Sequence, residues 1–210
     1  EIVTEMGTKV SEKDEIVVEG VSLSKSVKKE YYLLNKPRGY ICSLSDEKGR
    51  RVVTELINTN ERIYPVGRLD YDTTGVLLLT NDGEFANILT HPSYEVEKTY
   101  LAIIEGVMTT EEIYKLKDGV EIDGIKVIPR RVKIKKKDLE KNKSKVEVTI
   151  VEGRNHIVKR MFEAVGHPVN KLTRERLAFL DVKGLQSGEY RYLSNDEVNE
   201  LMKLKKSSKK

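Results

Sequence analysis

A polar loop, residues 67–75, is held between two apolar runs, residues 63–66 and 76–79. The loop reads Gly67-Arg68-Leu69-Asp70-Tyr71-Asp72-Thr73-Thr74-Gly75, and the run after it is Val76-Leu77-Leu78-Leu79. Because that run has no polar alternation, it forms a strand only if both of its faces are covered. Asn81-Asp82-Gly83 then turns the chain into a short helix. Phe85, Ile88 and Leu89 share one side of it, Asp82 is placed to cap its free N–H groups, and Pro92 follows its end. Together these residues demand a layered fold, with helices packed on a sheet whose strand ends fix a loop of two carboxylates, an arginine and three hydroxyls.

The remaining signals fit such a sheet. Residues 31–34 are an apolar run stopped by Asn35-Lys36-Pro37-Arg38-Gly39, and residues 100–104 are strand-like. Thr109 with Glu112 forms a capping box for a helix through Leu116. Val120-Glu121-Ile122 and Ile125-Lys126-Val127 flank Asp123-Gly124, a turn pair that tolerates positive φ and so predicts a hairpin. Residues 131–135 and 145–150 alternate charged or polar with apolar side chains, as antiparallel strands with one wet face do. Residues 156–165 are helical in pattern, with Ile157, Val158, Met161, Phe162 and Val165 inward, Asn155 as the expected cap and Gly166 as the terminator. Ser194 with Glu197 opens a last helix carrying Val198, Leu201 and Met202. The class is α+β: a mainly antiparallel mixed sheet flanked by helices around a central cleft.

Composition narrows the function classes. With 210 residues, 38% hydrophobic and 34% charged, the chain is an ordinary globular one. No apolar run approaches the roughly 18 residues of a membrane span and no charged-then-apolar leader opens the chain, so a soluble cytoplasmic protein without a membrane partner is expected. Cys42 is the single cysteine, and His91, His156 and His167 have no metal-ligand spacing, so neither a disulfide nor a metal site is expected. The net charge of +4 hides its distribution. Residues 201–210 hold five lysines and no acid, whereas residues 130–145 carry nine basic residues against Asp138 and Glu140, a stripe that suits a polyanion.

The loop by itself permits several chemistries. Asp70, Asp72, Thr74 and Gly75 match the early positions of a calcium loop, but Asn81 stands where a bidentate Glu is needed and strands flank the loop. Asp70-x-Asp72-x-Thr74 also resembles the first motif of haloacid dehalogenase phosphatases, which belongs after a continuous apolar strand in a parallel sheet, whereas Gly67-Arg68 interrupts here. A tight turn whose carboxylates cap their own backbone remains open as well.

A longer pattern goes beyond these. Residues 67–83, GRLDYDTTGVLLLTNDG, resemble the signature of ribosomal RNA pseudouridine synthases, in the branch that contains the small-subunit enzyme and its large-subunit relatives. The companion motifs follow in the family's order. They are Lys36-Pro37-Arg38-Gly39, His91-Pro92 with Lys98-Thr99-Tyr100, Glu152-Gly153-Arg154-Asn155-His156 running into Lys159-Arg160-Met161-Phe162, and Gly166-His167-Pro168. The resemblance covers residues 31–198. It implies an enzyme that isomerises uridine in ribosomal RNA to pseudouridine without a cofactor: the N-glycosidic bond breaks, the uracil turns, and a C–C bond forms.

The same resemblance implies roles. Asp70 matches the catalytic aspartate, and Tyr100 the tyrosine that packs on the target base. Lys159 matches the basic partner that keeps the aspartate ionised, with Arg160 as the second choice. Arg68 matches the arginine that fills the gap left by an extruded base. Lys36, Arg38 and Arg154 are candidate phosphate contacts beside the basic stripe. Ile157 stands where the family often has Gln, and by periodicity it belongs in the core.

The expected organisation is a remnant of an S4-type RNA-binding domain and linker at residues 1–24, a catalytic domain at 25–200, and a disordered basic tail at 201–210. Since the first residue is Glu1 on a strand-like fragment, further natural sequence, including the helical half of the S4-type domain, is expected to precede it. A monomer acting on ribosomal RNA is expected, with the large-subunit branch preferred to the small-subunit one. The reading of another class is a non-catalytic RNA-binding or ribosome-assembly module.

Overall fold

The structure, a computed structural model, describes residues 17–18, 21–22 and 27–207. Strand β1 (Val17–Val18) pairs antiparallel with β2 (Val21–Ser22). The rest of the expected S4-type remnant lies outside the described residues.

Nine further strands form one sheet: β3 (Tyr31–Lys36), β4 (Tyr64–Val66), β5 (Thr74–Thr80), β6 (Lys98–Glu105), β9 (Arg131–Asp138), β10 (Lys143–Ile150), β11 (Val169–Leu177), β12 (Leu180–Asp181) and β13 (Tyr190–Tyr192). A separate hairpin joins β7 (Val120–Ile122) to β8 (Ile125–Val127). Its turn places Asp123 at φ 55° and Gly124 at φ 72°, the positive values the dipeptide predicts. The described residues also form four α-helices: α1 (Gly83–Thr90), α2 (Thr110–Asp118), α3 (Ile157–Ala164) and α4 (Asn195–Ser207).

The main path of the sheet is β13-β3-β5-β11-β6-β10-β9, with β4 beside β5 and β12 beside β11. Every pairing in it is antiparallel except that of β5 with β11. The mainly antiparallel mixed sheet is therefore as expected.

The uninterrupted apolar run explains itself once both faces of β5 are seen. Leu77 and Leu79 join Tyr32 and Leu34 in one core, while Val76 and Leu78 join Leu33 in the other, and all seven side chains are fully buried. Each such burial contributes about 1.5–3 kcal/mol relative to exposure. Phe85 and Leu89 of α1 and Leu201 of α4 belong to the second core. Farther along the sheet, Leu116 of α2 and Met161 and Phe162 of α3 pack with Ala102, Ile104, Val146 and Val148 in the first.

Most local signals act as read. Asp82 accepts from the N–H groups of Glu84 and Phe85, and the Thr109/Glu112 and Ser194/Glu197 capping boxes are both present. Two expectations need correction. Asn155 does not cap α3: the cap position is His156, at φ 52°, with no side-chain cap bond. Nor does the fold stop at residue 200, because α4 continues to Ser207 and Leu201 is fully buried. A leucine anchored in the second core holds the lysine-rich segment helical; residues 208–210 lie outside the described residues.

The parallel joint positions the cleft. It comprises only Thr173 opposite Thr74 and Arg174 opposite Gly75. Gly75 sits at φ 106°, and a Cβ there would lie 2.2 Å from the carbonyl oxygen of Arg174. Only a residue without a side chain lets these backbones approach so closely. The polar loop enters β5 at this point.

Candidate active site

Lys36 holds the loop from inside. Its Nζ donates to the carbonyl oxygens of Pro37 at 3.1 Å, Asp70 at 3.0 Å and Thr73 at 2.9 Å. The side chain is fully buried, and burial pulls its pKa below the ordinary lysine value. Lys36 is thus no phosphate contact: the end of β3 turns it under the loop, where it fixes the backbone of Asp70. The N–H of Gly39 donates to the Tyr71 carbonyl at 2.9 Å and that of Leu69 to Cys42 Sγ at 3.3 Å, tying the loop to the segment after β3.

Above the loop opens a cavity of about 850 Å³, lined among others by Asp70, Arg68, Tyr100, Lys98, Arg174 and His156. The Asp70 carboxylate is 23% exposed, open enough to meet a ligand. Its Oδ2 lies 3.1 Å from Lys159 Nζ and 3.0 Å from His156 Nδ1. Lys159 also donates to Asp72 Oδ1 at 2.8 Å. His156 at the N-cap of α3 and Lys159 in its first turn are three positions apart, so one helix start delivers both groups to one oxygen. Burial lowers the Lys159 pKa, but the hydrogen bonds and charges of Asp72 and Asp70 outweigh it and hold the value above the ordinary one. For Asp72, burial pushes upward and the Lys159 hydrogen bond and charge prevail, so its pKa is lowered.

Tyr100, 8% exposed, comes from β6 and faces the cavity. Lys98 lies two residues earlier and therefore points to the same side of the strand. Its Nζ donates to the carbonyls of Val96 at 3.1 Å and Val151 at 3.0 Å. Burial, with the neighbouring charge of Arg174, brings its pKa down to about 8. Between that value and the ordinary lysine value of about 10.4 the unfolded chain holds a proton that the folded chain has shed, so Lys98 makes stability rise with pH through that window. Denaturant unfolding at pH 7, 9 and 10 is expected to show a smaller rise for Lys98→Met than for the parent; equal slopes would contradict the buried charge.

The other candidates separate. Arg68 is exposed at the cavity wall, and Arg38 is exposed away from it. Arg154 is half-buried, paired with Glu152 and donating to the Ile122 carbonyl at 3.1 Å. Arg160, the second choice for the counter-ion, turns its guanidinium to Asp123 in the β7–β8 turn, so α3 presents Lys159 to the loop and Arg160 elsewhere. None of the side chains of residues 130–145 lines the cavity, since β9 is the far edge strand. Ile157 is buried in the core, as its periodicity predicts. Asp70 and Asp72 are engaged by α3 rather than capping their own turn. No group of three or more His, Cys, Asp or Glu among the described residues is placed to hold a metal ion, and none of the described helices is long and apolar enough to cross a membrane.

Sequence reasoning missed His156, Lys98 and Arg174 as site groups. The first two stand inside recognised motifs, and the spacing of His156 to Lys159 was a usable signal. Arg174 gave none, because it sits in a polar strand with no motif around it.

Three comparisons bear on this geometry. A family model described as RNA pseudouridylate synthase matches residues 30–164. The chain is 49% identical over 204 residues to the ribosomal large subunit pseudouridine synthase B of Bacillus subtilis (strain 168), covering 97% of this chain and 83% of the relative. It is 34% identical over 200 residues to the ribosomal small subunit pseudouridine synthase A of Yersinia pestis, covering 94% and 83%. The fold also matches a crystal structure of a pseudouridylate synthase with a TM-score of 0.74 at 33% identity, covering 96% of this chain and 86% of that one.

Proposed function

The chain belongs to the RNA pseudouridylate synthase family, and from that premise we propose that it converts a uridine of large-subunit ribosomal RNA to pseudouridine, with Asp70 as the reacting carboxylate. One observation supports this above all: Asp70 meets Lys159 and His156 at a single oxygen in a cavity that Tyr100 also lines. The large-subunit target is favoured because the relative named for that subunit is 49% identical, against 34% for the one named for the small subunit. Ribosomal RNA as substrate places the work in the cytoplasm.

In this reading a uridine leaves its stack and enters the cavity, with Arg68 at the wall available to fill the vacated place. Such extrusion costs a few kcal/mol, which a planar stacking cation offsets in part. Tyr100 presents an aromatic side chain to the base. Asp70, held by Lys36 through the backbone and by α3 through the carboxylate, meets the ribose as its bond to the base breaks. Lys159 holds a positive charge 3.1 Å from the Asp70 carboxylate, opposite the negative charge that either a nucleophile or a base must carry. A module that only binds RNA has no need of this convergence on one carboxylate oxygen.

The test is chemical mapping of pseudouridine in ribosomal RNA from cells lacking the protein, complemented with the parent or with Asp70→Ala. Restoration of a large-subunit position by the parent alone is expected. Equal restoration by both would remove the catalytic role of Asp70, and a position restored in the small subunit would reassign the target.

A further inference from the structure

The cleft floor holds two cations that no carboxylate among the described residues answers. Arg174 stands opposite Tyr100 in the pairing of β11 with β6 and is only 3% exposed. Its Nε donates to the Val76 carbonyl at 2.8 Å, while its Nη2 is buried with no hydrogen-bond partner among the described residues. Lys98 is satisfied by two backbone carbonyls and by no acid. Both line the cavity. The carboxylate that could have neutralised them, Asp70, is taken by Lys159 and His156. A buried guanidinium N–H left without a partner is costly and rare, and here the open donor belongs to the wall of a ligand-sized cavity.

Resting on the reading that this cleft receives a uridine, we propose that Arg174, with Lys98 beside it, engages a ring carbonyl oxygen of the extruded uracil and stabilises the negative charge the ring acquires during the reaction. The chemistry requires such a group. When the bond from C1′ to N1 breaks, its electron pair stays on the ring and spreads over N1, O2 and O4, while the positive charge left at C1′ faces Asp70. After the ring turns, C5 gives an electron pair to C1′, the proton on C5 departs and N1 gains one. Atoms and charge return to those of the starting nucleotide, so no co-reactant is needed. Between the two bond changes the ring is anionic, and a fixed donor in a water-poor floor is worth most at that moment.

Depth selects the ring over a phosphate. Arg174 is as buried as Tyr100, the residue assigned to the base, whereas a backbone phosphate is tied to its neighbours and stays nearer the mouth. Arg174 does not enter the resemblance-based set of Asp70, Tyr100 and Lys159, and it acts on the opposite partner of the breaking bond.

The test compares the parent, Arg174→Met and Lys98→Met in single-turnover cleavage of the N1–C1′ bond in one RNA carrying either uridine or 5-fluorouridine at the target. Cleavage is read as loss of the N-linked nucleoside, because the fluorinated ring has no C5 proton to release and stops once C5 is bonded to C1′. Fluorine withdraws electrons and makes the ring a better leaving group, so it replaces part of what Arg174 supplies. Arg174→Met is expected to lower the uridine rate by about 10²–10³-fold, the usual cost of losing one such donor. RNA affinity should stay within a few-fold, and the deficit should shrink at least about tenfold on 5-fluorouridine. Lys98→Met should show the same pattern with a smaller deficit. The ratio of two rates on one protein does not depend on how much of it is folded, so a folding defect cannot imitate this result. An equal loss on both rings would overturn the proposal. So would weaker RNA binding with a salt slope reduced by about one, which identifies a phosphate contact. A parent that cleaves the N1–C1′ bond of neither ring would overturn the functional reading itself, which separates the two failures.

Discussion

Asp70→Asn is expected to abolish conversion, with a single-turnover rate reduced on the order of 10⁴-fold or more, as when a nucleophile or its orienting partner is lost. The substitution keeps the shape of the side chain and leaves its backbone carbonyl on Lys36 at 3.0 Å, so the loop should hold and RNA should still bind. What disappears is the negative charge that meets Lys159 at 3.1 Å and can take up the developing charge of the ribose. Asp72→Asn provides the contrast. Lys159 is shared between the two aspartates, and removing the one at 2.8 Å leaves it free to turn wholly to Asp70. That variant is expected to lose less than about tenfold, since only a partly exposed ion pair is removed. Comparable losses in the two variants would mean that the pair of carboxylates, and not Asp70 alone, forms the reacting unit.

How much of this could be read from the chain depended on whether a residue's partner was near in sequence. Asp82 capping α1, the Thr109/Glu112 box and the Asp123-Gly124 turn are decided within a few residues, and each formed as read. The continuous apolar run of β5 announced burial on both faces because hydrophobicity needs no particular partner. Lys36 is the opposite case. By residue type it is a surface cation, and only the folding of a loop 34 positions away onto it supplies the carbonyls that make its burial tolerable. The strand β11 went unnoticed for the same reason: Lys171, Thr173 and Glu175 alternate with Leu172, Arg174 and Arg176 in a pattern too polar to suggest a central strand. Motif resemblance pointed to Asp70, Tyr100 and Lys159, two of which line one cavity and the third of which pairs with Asp70, because it is indifferent to whether partners are local. It misplaced Lys36 and Arg160, whose charges look available in one dimension and are occupied in three. The basic stripe is a milder instance. Its charge is real, but β9 lies at the sheet edge, so any RNA it touches is outside the cavity.

The joint between β5 and β11 yields the largest expected effect on stability. Gly75→Ala should destabilise the fold by more than about 4 kcal/mol, enough to leave little soluble protein. At φ 106° an alanine is already strained, by roughly 1–3 kcal/mol. Its Cβ would then lie 2.2 Å from the carbonyl oxygen of Arg174, 2.9 Å from its carbon and 3.0 Å from its nitrogen. All three are backbone atoms, so no side chain can swing aside, and relief requires the two strands to part. Parting them breaks the contact between the Thr74 and Thr173 hydroxyls at 2.9 Å and removes Arg174 Nε from the Val76 carbonyl. Thr73 and Asp70, whose carbonyls Lys36 holds, would move with the start of β5. Gly83→Ala serves as the control, because its Cβ would meet nothing nearer than the Tyr64 hydroxyl at 3.6 Å and its φ is not positive. Placed at the first position of α1, it should be neutral or stabilising by up to about 1 kcal/mol. Denaturant unfolding of the two variants measures the difference. A Gly75→Ala protein that unfolds near the parent's midpoint would show that the joint yields, and that the cleft tolerates a looser seam between β5 and β11 than these distances require.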